Sequence, residues 1–256
     1  MDIRILGAHN CESTTTGCVC FLIDGTLAID AGALTSNLSI DDQQKLNAIL
    51  LTHQHYDHIR DIPGIALNCS LRGKSINIYA QTDVQTIIKD HLLNGSIYPR
   101  FQELPSARPT VTFNVITPYQ RQGINGHQIM AVPVHHFGNT VGYEVGDGTG
   151  RTFFYTADTG PGLADAWRRV SPQLLIIDVT VPSEYEAFAR KTGHLTPALL
   201  ECELVSFRET RGYLPQVLAV HMDSGLEPKI REELASVGER LGIPITLAHE
   251  GMQLRI

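Results

Sequence analysis

The chain lacks the features that would suit it to a membrane, to extended nucleic acid or to an oxidising compartment. No apolar run in its 256 residues approaches the roughly 18 that a spanning helix needs. The opening stretch MDIRILGAHNC has an apolar segment interrupted by Arg4, too short for the core of an export signal, so a cytoplasmic location is expected. Basic charge is in deficit: 20 Lys plus Arg stand against 27 Asp plus Glu, a net charge of −7. That balance speaks against coating nucleic acid or an anionic membrane, though not against an anionic substrate held by a local positive centre. The five cysteines (Cys11, Cys18, Cys20, Cys69, Cys202) are odd in number, so they cannot all be paired, and reduced thiols are expected. Cys18 and Cys20 would share one face of a strand in CVCFLI and read as small core residues, since no second pair completes a Cys₄ zinc site.

What is present is core material. Hydrophobic residues make up 43% and charged residues 18%, which excludes disorder. No repeat, low-complexity segment or linker divides the chain, so a single domain over residues 1–256 is expected. Strand patterns cover Ile3–Leu6, Cys18–Ile23, Leu27–Asp30, Ala48–Thr52, Ile76–Ala80 and Val111–Ile116. Others cover His127–Val134, Val141–Val145, Thr152–Thr156, Leu174–Val179, Val217–Val220 and Pro244–Ala248. Thr82-Asp83-Val84-Gln85 has the form of a capping box, followed by Val84, Ile87, Ile88 and Leu92 on one helical face. Thr196-Pro197 opens a second helix as N-cap and first residue. In a third, Ile230, Leu234, Val237 and Leu241 recur at helical spacing before Gly242 ends it. The strands fall into groups before and after about residue 110, the pattern of two packed sheets with outer helices.

The strongest chemical signal is Leu51-Thr52-His53-Gln54-His55-Tyr56-Asp57-His58. Three histidines and an aspartate fall within six residues, directly after a buried strand. Imidazole and carboxylate are donors suited to zinc and similar ions. A tight turn lets His53 and His55 converge on one ion while Asp57 and His58 point at another.

This segment resembles the signature of the metallo-β-lactamase superfamily, and so do four others. Ile3–Gly7 is similar to the family's first strand, and Leu27–Gly32 to the strand and turn before its metal loop. Ala157-Asp158-Thr159 and Val217–His221 are similar to later strand ends that deliver ligands. The implied fold is an α/β αββα sandwich, two mixed β-sheets flanked by helices. The branch resembled most is that of the class II cyclic-nucleotide phosphodiesterases, beside RNase Z. The likeness rests on Pro133-Val134-His135-His136, Thr140–Tyr143, the acidic strand end after Leu174, and Gly193-His194-Leu195-Thr196-Pro197. The chain departs from the pattern at Ala8–Glu12, which replaces a commonly glycine-rich stretch.

The resemblance implies that His53, His55 and His136 hold one ion, that Asp57, His58 and His221 hold a second, and that Asp158 bridges them. His135 and His136 would face opposite sides of a strand, so only one can reach the metal, and their spacing from Pro133 and to Thr140 favours His136. Asp30 is a candidate to orient a ligand histidine, or else a turn-forming Asp before Ala31-Gly32. His249 is read as structural, and His9, His91 and His127 as surface or loop residues. The implied cofactors are two divalent ions, zinc by donor type with manganese as the alternative, which would activate water toward phosphorus. Asp57 would orient the water or take its proton, and His194 would meet the charge of the leaving oxygen. The expected reaction is hydrolysis of a 3′,5′-cyclic nucleotide, a small anionic phosphodiester, to the 5′-monophosphate by a homodimer.

Three other readings share parts of this pattern. An RNase Z-like endoribonuclease commonly carries a long arm between the third histidine and the bridging aspartate, but only 22 residues separate His136 from Asp158. A thioester hydrolase of the glyoxalase II kind has a shorter span than the 63 residues between Asp158 and His221. A non-catalytic metal-binding protein would not need all seven candidate ligands.

Overall fold

Fourteen strands form two sheets of seven in the computed structural model, which describes residues 1–256. The first sheet contains β1 (Asp2–Gly7), β2 (Cys20–Ile23), β3 (Leu27–Ile29), β4 (Ala48–Leu50), β5 (Ile76–Ala80) and β6 (Val111–Val115). The second contains β7 (Arg121–Ile124), β8 (His127–Pro133), β9 (Val141–Gly146), β10 (Thr152–Tyr155), β11 (Leu174–Asp178), β12 (Gln216–Val220) and β13 (Ile245–Leu247). The last strand, β14 (Gln253–Arg255), returns to the first sheet beside β1. Both sheets are mixed: β3 to β6 and β10 to β13 run parallel, while the remaining neighbours are antiparallel.

Three apolar clusters define four layers. Ile5, Phe21, Ile29 and Leu50 of the first sheet meet Ile129, Tyr143, Phe153 and Tyr155 of the second in the central core. The outer face of the first sheet packs on helix Ile62–Ser70 through Ile62, Ile65 and Cys69. The outer face of the second packs on helices Pro197–Arg211 and Glu227–Leu241 through Leu200, Leu204, Ile230 and Leu234. The result is the expected αββα sandwich of two mixed sheets flanked by helices. Parallel strands buried on both faces explain the continuous apolar runs of β4, β11 and β12.

All twelve expected strands form, most ending a residue or two short of the pattern. The short edge strands β7 and β14 had no pattern of their own; RQGI and QLR are extended because a neighbour pairs with them. The division between sheets falls after β6, not at residue 110, and β14 crosses back. The capping box does not form: Gln81 is the N-cap and Thr82 lies inside helix Thr82–Ile87 with no side-chain cap. That helix continues as a π turn over Ile88–Leu92, whose extra residue per turn puts Leu93 in the core and leaves Leu92 only half-buried. Thr196 does cap its helix, its Oγ1 accepting from Leu199 N–H at 3.3 Å. Gly242 ends helix Glu227–Leu241 in the left-handed region, φ 73°.

Candidate metal centre

The candidate side chains leave from strand ends at one end of the sandwich. His53, His55, Asp57 and His58 follow β4, His136 follows β8, Asp158 follows β10 and His221 follows β12. Beyond β4 the chain stays extended to His55, which caps helix Tyr56–Ile59, so Asp57 and His58 sit in one tight helical turn. Gly32 is what lets this turn close. A Cβ there would lie 2.3 Å from the Asp57 carbonyl oxygen and 2.8 Å from that of Val19. Three non-glycine residues of the centre hold positive φ: Asp30 (58°), Ala157 (59°) and His221 (65°). Such backbone costs of order 1–3 kcal/mol each and persists where its surroundings over-determine it.

The donor atoms form two sets that share one carboxylate: His53, His55, His136 and Asp158, and Asp57, His58, Asp158 and His221, each within 4.8 Å. Asp158 Oδ2 lies 3.7 Å from His53 Nε2, 3.7 Å from His136 Nε2 and 3.2 Å from His221 Nε2. Its Oδ1 is 3.3 Å from His58 Nε2. Asp57 Oδ2 is 3.4 Å from both His58 Nε2 and His221 Nε2.

Outer hydrogen bonds select the tautomers. His136 Nδ1–H donates to Gly193 O at 2.9 Å, and His58 Nδ1–H donates to Asp30 Oδ2 at 2.8 Å. The Thr52 hydroxyl donates to Asp30 and therefore accepts from His53 Nδ1–H at 3.0 Å. The Thr180 hydroxyl donates to Asp178 Oδ1 at 2.6 Å and therefore accepts from His221 Nδ1–H at 2.9 Å. In its neutral form each of the four rings would thus turn an Nε2 lone pair to the centre, the arrangement by which outer partners orient metal ligands. His53 Nε2, His58 Nε2 and Asp158 Oδ1 are buried with no aligned hydrogen-bond partner. Buried polar atoms are ordinarily paired, and three that lack an aligned partner converge in one cluster, which fits divalent ions.

Burial works against every charge here, and its outcome differs by neighbour. It pushes His53, His55 and His136 below the ordinary histidine range, with neighbouring imidazoles adding to the effect. For His58 burial is outweighed by Asp158, Asp30 and Asp57, which raise it well above that range. Asp158 is held low against burial by His221 and His58, and Asp57 by His58 and His221.

His194 lies beside the centre, its ring 5.1 Å from that of His221 and 4.8 Å from that of His136. Its Nδ1 pairs with Asp178 Oδ2 at 2.8 Å. Burial opposes its charge, but the Asp178 carboxylate prevails and the His194 pKa is pushed up to about 9. The sequence marks Asp178 only as an acidic strand end. It also accepts from Thr159 N–H at 3.1 Å, so it ties together the loops carrying Asp158, His194 and His221. Its signal was a carboxylate closing the wholly buried run LLIID.

Several expectations need correcting. His135 and His136 are not on a strand: β8 ends at Pro133, and both sit in the following bend. His136 still faces the cluster while His135 is exposed, its carbonyl accepting from Gly160 N–H at 2.6 Å. Of the two readings of Asp30 the orienting one holds, since its buried carboxylate accepts from His58 Nδ1–H and from Thr52. His9 and His127 are buried and not surface residues; His9 lies between Glu250 and Glu227, and His127 faces Asp24 at 3.3 Å. His91 is exposed, as expected, whereas His249, read as structural, is exposed too, its ring meeting only the Glu250 carbonyl at 3.0 Å.

A family model described as a β-lactamase superfamily domain matches residues 21–222, which takes in every donor named above. The chain belongs to the metallo-β-lactamase superfamily. No curated protein sequence matches it significantly. Among solved structures, unliganded yeast PDE1 aligns with a TM-score of 0.86 at 16% identity, covering 100% of this chain and 99% of that one. The metallo-β-lactamase fold protein YhfI from Bacillus subtilis aligns at 0.76 and 19% identity, covering 99% and 98%. Human tRNase Z, short form, aligns at 0.71 and 19% identity, covering 100% and 99%. At these identities the likeness is one of fold. As a superfamily member the chain is a metal-dependent hydrolase, and no helix in it is long and apolar enough to cross a membrane.

Proposed function

We propose that this protein is a metal-dependent phosphodiesterase that opens a 3′,5′-cyclic nucleotide to the 5′-monophosphate. The observation that carries this reading is the Asp178–His194 pair standing beside two donor sets joined through Asp158. His53, His55 and His136 would hold one ion, Asp57, His58 and His221 the other, with Asp158 shared between them. Imidazole and carboxylate donors suit zinc, with manganese as the second candidate. When bound, the ions supply Lewis-acid charge that activates water and neutralises phosphoryl oxygens.

The chain's own groups do the rest. Asp57, partly open to solvent and held ionised, orients the attacking water or accepts its proton. His194 carries a proton at neutral pH and donates it to the departing alkoxide. Asp178 fixes its ring and offsets the charge. Asp30, Thr52 and Thr180 keep the ligand imidazoles in the Nδ1–H tautomer.

The hairpin of β9 and β10 supports a small substrate over precursor tRNA. Between His136 and Asp158 the chain makes two short strands and a tight turn at 147–151, and no arm projects there. The test is to incubate metal-loaded protein with cyclic nucleotides, linear dinucleotides and precursor tRNA. The reading requires a 5′-monophosphate from a cyclic nucleotide; cleavage of precursor tRNA alone would replace it with the RNase Z-like alternative.

A further inference from the structure

We infer that His9, which no part of the reaction above uses, is a positioning residue that holds the strained backbone of His221. The inference rests on the proposed ligand role of His221. Beyond β1 the chain leaves the first sheet and reaches the second at the centre itself. Ala8 O accepts from His221 N–H at 2.7 Å, and Met222 O accepts from Asn10 N–H at 3.3 Å. Together they make a parallel bridge of His9 with Met222, while His9 makes a second parallel bridge with Cys18 on its other side. His9 is therefore the middle rung of a small three-segment ladder. One outer rung is the residue next to His221, whose φ of 65° is uncommon for a side chain of this size.

The His9 ring fixes that ladder in place. It is 3% exposed, with Nδ1 2.8 Å from Glu250 Oε1 and Nε2 3.2 Å from Glu227 Oε2. Carboxylates face both nitrogens, so both act as donors. Glu250 Oε1 also accepts from Ala8 N–H at 3.2 Å and Gly17 N–H at 2.8 Å. One oxygen thus gathers both ends of the 8–17 loop and the ring between them. Glu227, at the first turn of helix Glu227–Leu241, is braced in turn by Arg231 at 2.5 Å. Loop, helix and the turn before β14 therefore converge on one imidazole whose backbone borders His221. A surface histidine would need none of these partners.

The two carboxylates make unequal contributions, and amide substitutions separate them. An Asn side chain places its N–H₂ near the Nδ1 position and keeps the Glu250 bond; Gln reaches toward the Nε2 position and keeps only the Glu227 bond. The readouts are amide hydrogen exchange of metal-free protein and calorimetric titration with Zn²⁺. In His9→Gln, exchange at His221 and Asn10 should speed up at least ten-fold, with the β8–β9 amides unchanged. Affinity for the ion of the Asp57–His58–His221 set should fall about ten-fold, and affinity at the other set should not. His9→Asn should fall between His9→Gln and wild type. Unchanged exchange at His221 in His9→Gln, equal loss at both sets, or a His9→Gln chain that does not fold would each overturn the role. The ligand reading is tested separately by His221→Ala. If that variant takes up two ions with wild-type affinity, the assignment of His221 fails, whereas the exchange result for His9 stands or falls by itself.

Discussion

The donor set around His53, His55 and His136 shares Asp158 with the set around Asp57, His58 and His221, yet the two lie in opposite electrostatic surroundings. In the first set the outer hydrogen bonds of His53 and His136 go to neutral oxygens, Thr52 Oγ1 and Gly193 O. Burial meets no sufficient opposing charge there, and all three rings are pushed toward the neutral form. In the second set His58 faces Asp30, Asp57 and Asp158, and their attraction outweighs burial. Without metal the first set is a cluster of neutral imidazoles ready to coordinate. The second is an ion-paired cluster that must lose a proton before it can do so. The same residue type, a few ångströms apart, is put into two protonation states by its neighbours.

Substitutions can break this comparison at different strengths. The largest effect is expected for Asp158→Ala, which removes the carboxylate both sets use; turnover should fall to background, and metal analysis should show loss from both sets. His136→Ala should remove the ion of the first set and most activity while sparing the second, whereas His135→Ala, in the same bend but facing outward, should be mild. A reversal between these two histidines would mean that the bend is oriented wrongly.

His194→Ala should keep both ions and the fold but lose about 10²–10⁴ in turnover of a cyclic nucleotide, the usual worth of general-acid help. A nitrophenyl phosphodiester, whose leaving group needs little protonation, should lose less, and equal losses would assign His194 to phosphate binding. Asp30→Asn removes the charge that His58 faces directly and that reaches His53 only through Thr52, and affinity at the second set should drop about 10- to 100-fold. Equal weakening of the first set would show that Thr52 transmits the change to His53.

The smallest effect concerns pH. His58 keeps its proton well above 6.5 in the metal-free protein, so uptake at the second set should strengthen as pH rises above 6.5. The first set, its histidines already neutral there, should be flat over the same range. The sign for stability is opposite: the charge on His58 supports the metal-free fold fully below 6.5, and that support is lost as pH rises through the raised pKa. Thermal melting of metal-free wild type and Asp30→Asn across that range would show it.

Much of this was legible in the sequence because the candidate ligands follow strands whose apolar runs are unmistakable. Ala48–Leu50 before the His53–His58 segment and Gln216–Val220 before His221 are buried parallel strands, and their patterns mark where the candidate site begins. The supporting residues were harder to read. Asp178 needs the 41-residue jump from Thr180 to His221 to show its purpose. His9 meets Glu227 and Glu250 across separations of 218 and 241 residues, which no local pattern carries. The bend at His135-His136 escaped because periodicity in β8 says nothing about where pairing with β9 stops.

The most direct measurement is calorimetric titration of metal-free wild-type protein with Zn²⁺ at pH 7 in two buffers of different ionisation enthalpy. The account predicts two ions per chain, one taken up without proton release and the other with release of a proton from His58. A single ion, or two ions with identical proton release, would contradict it.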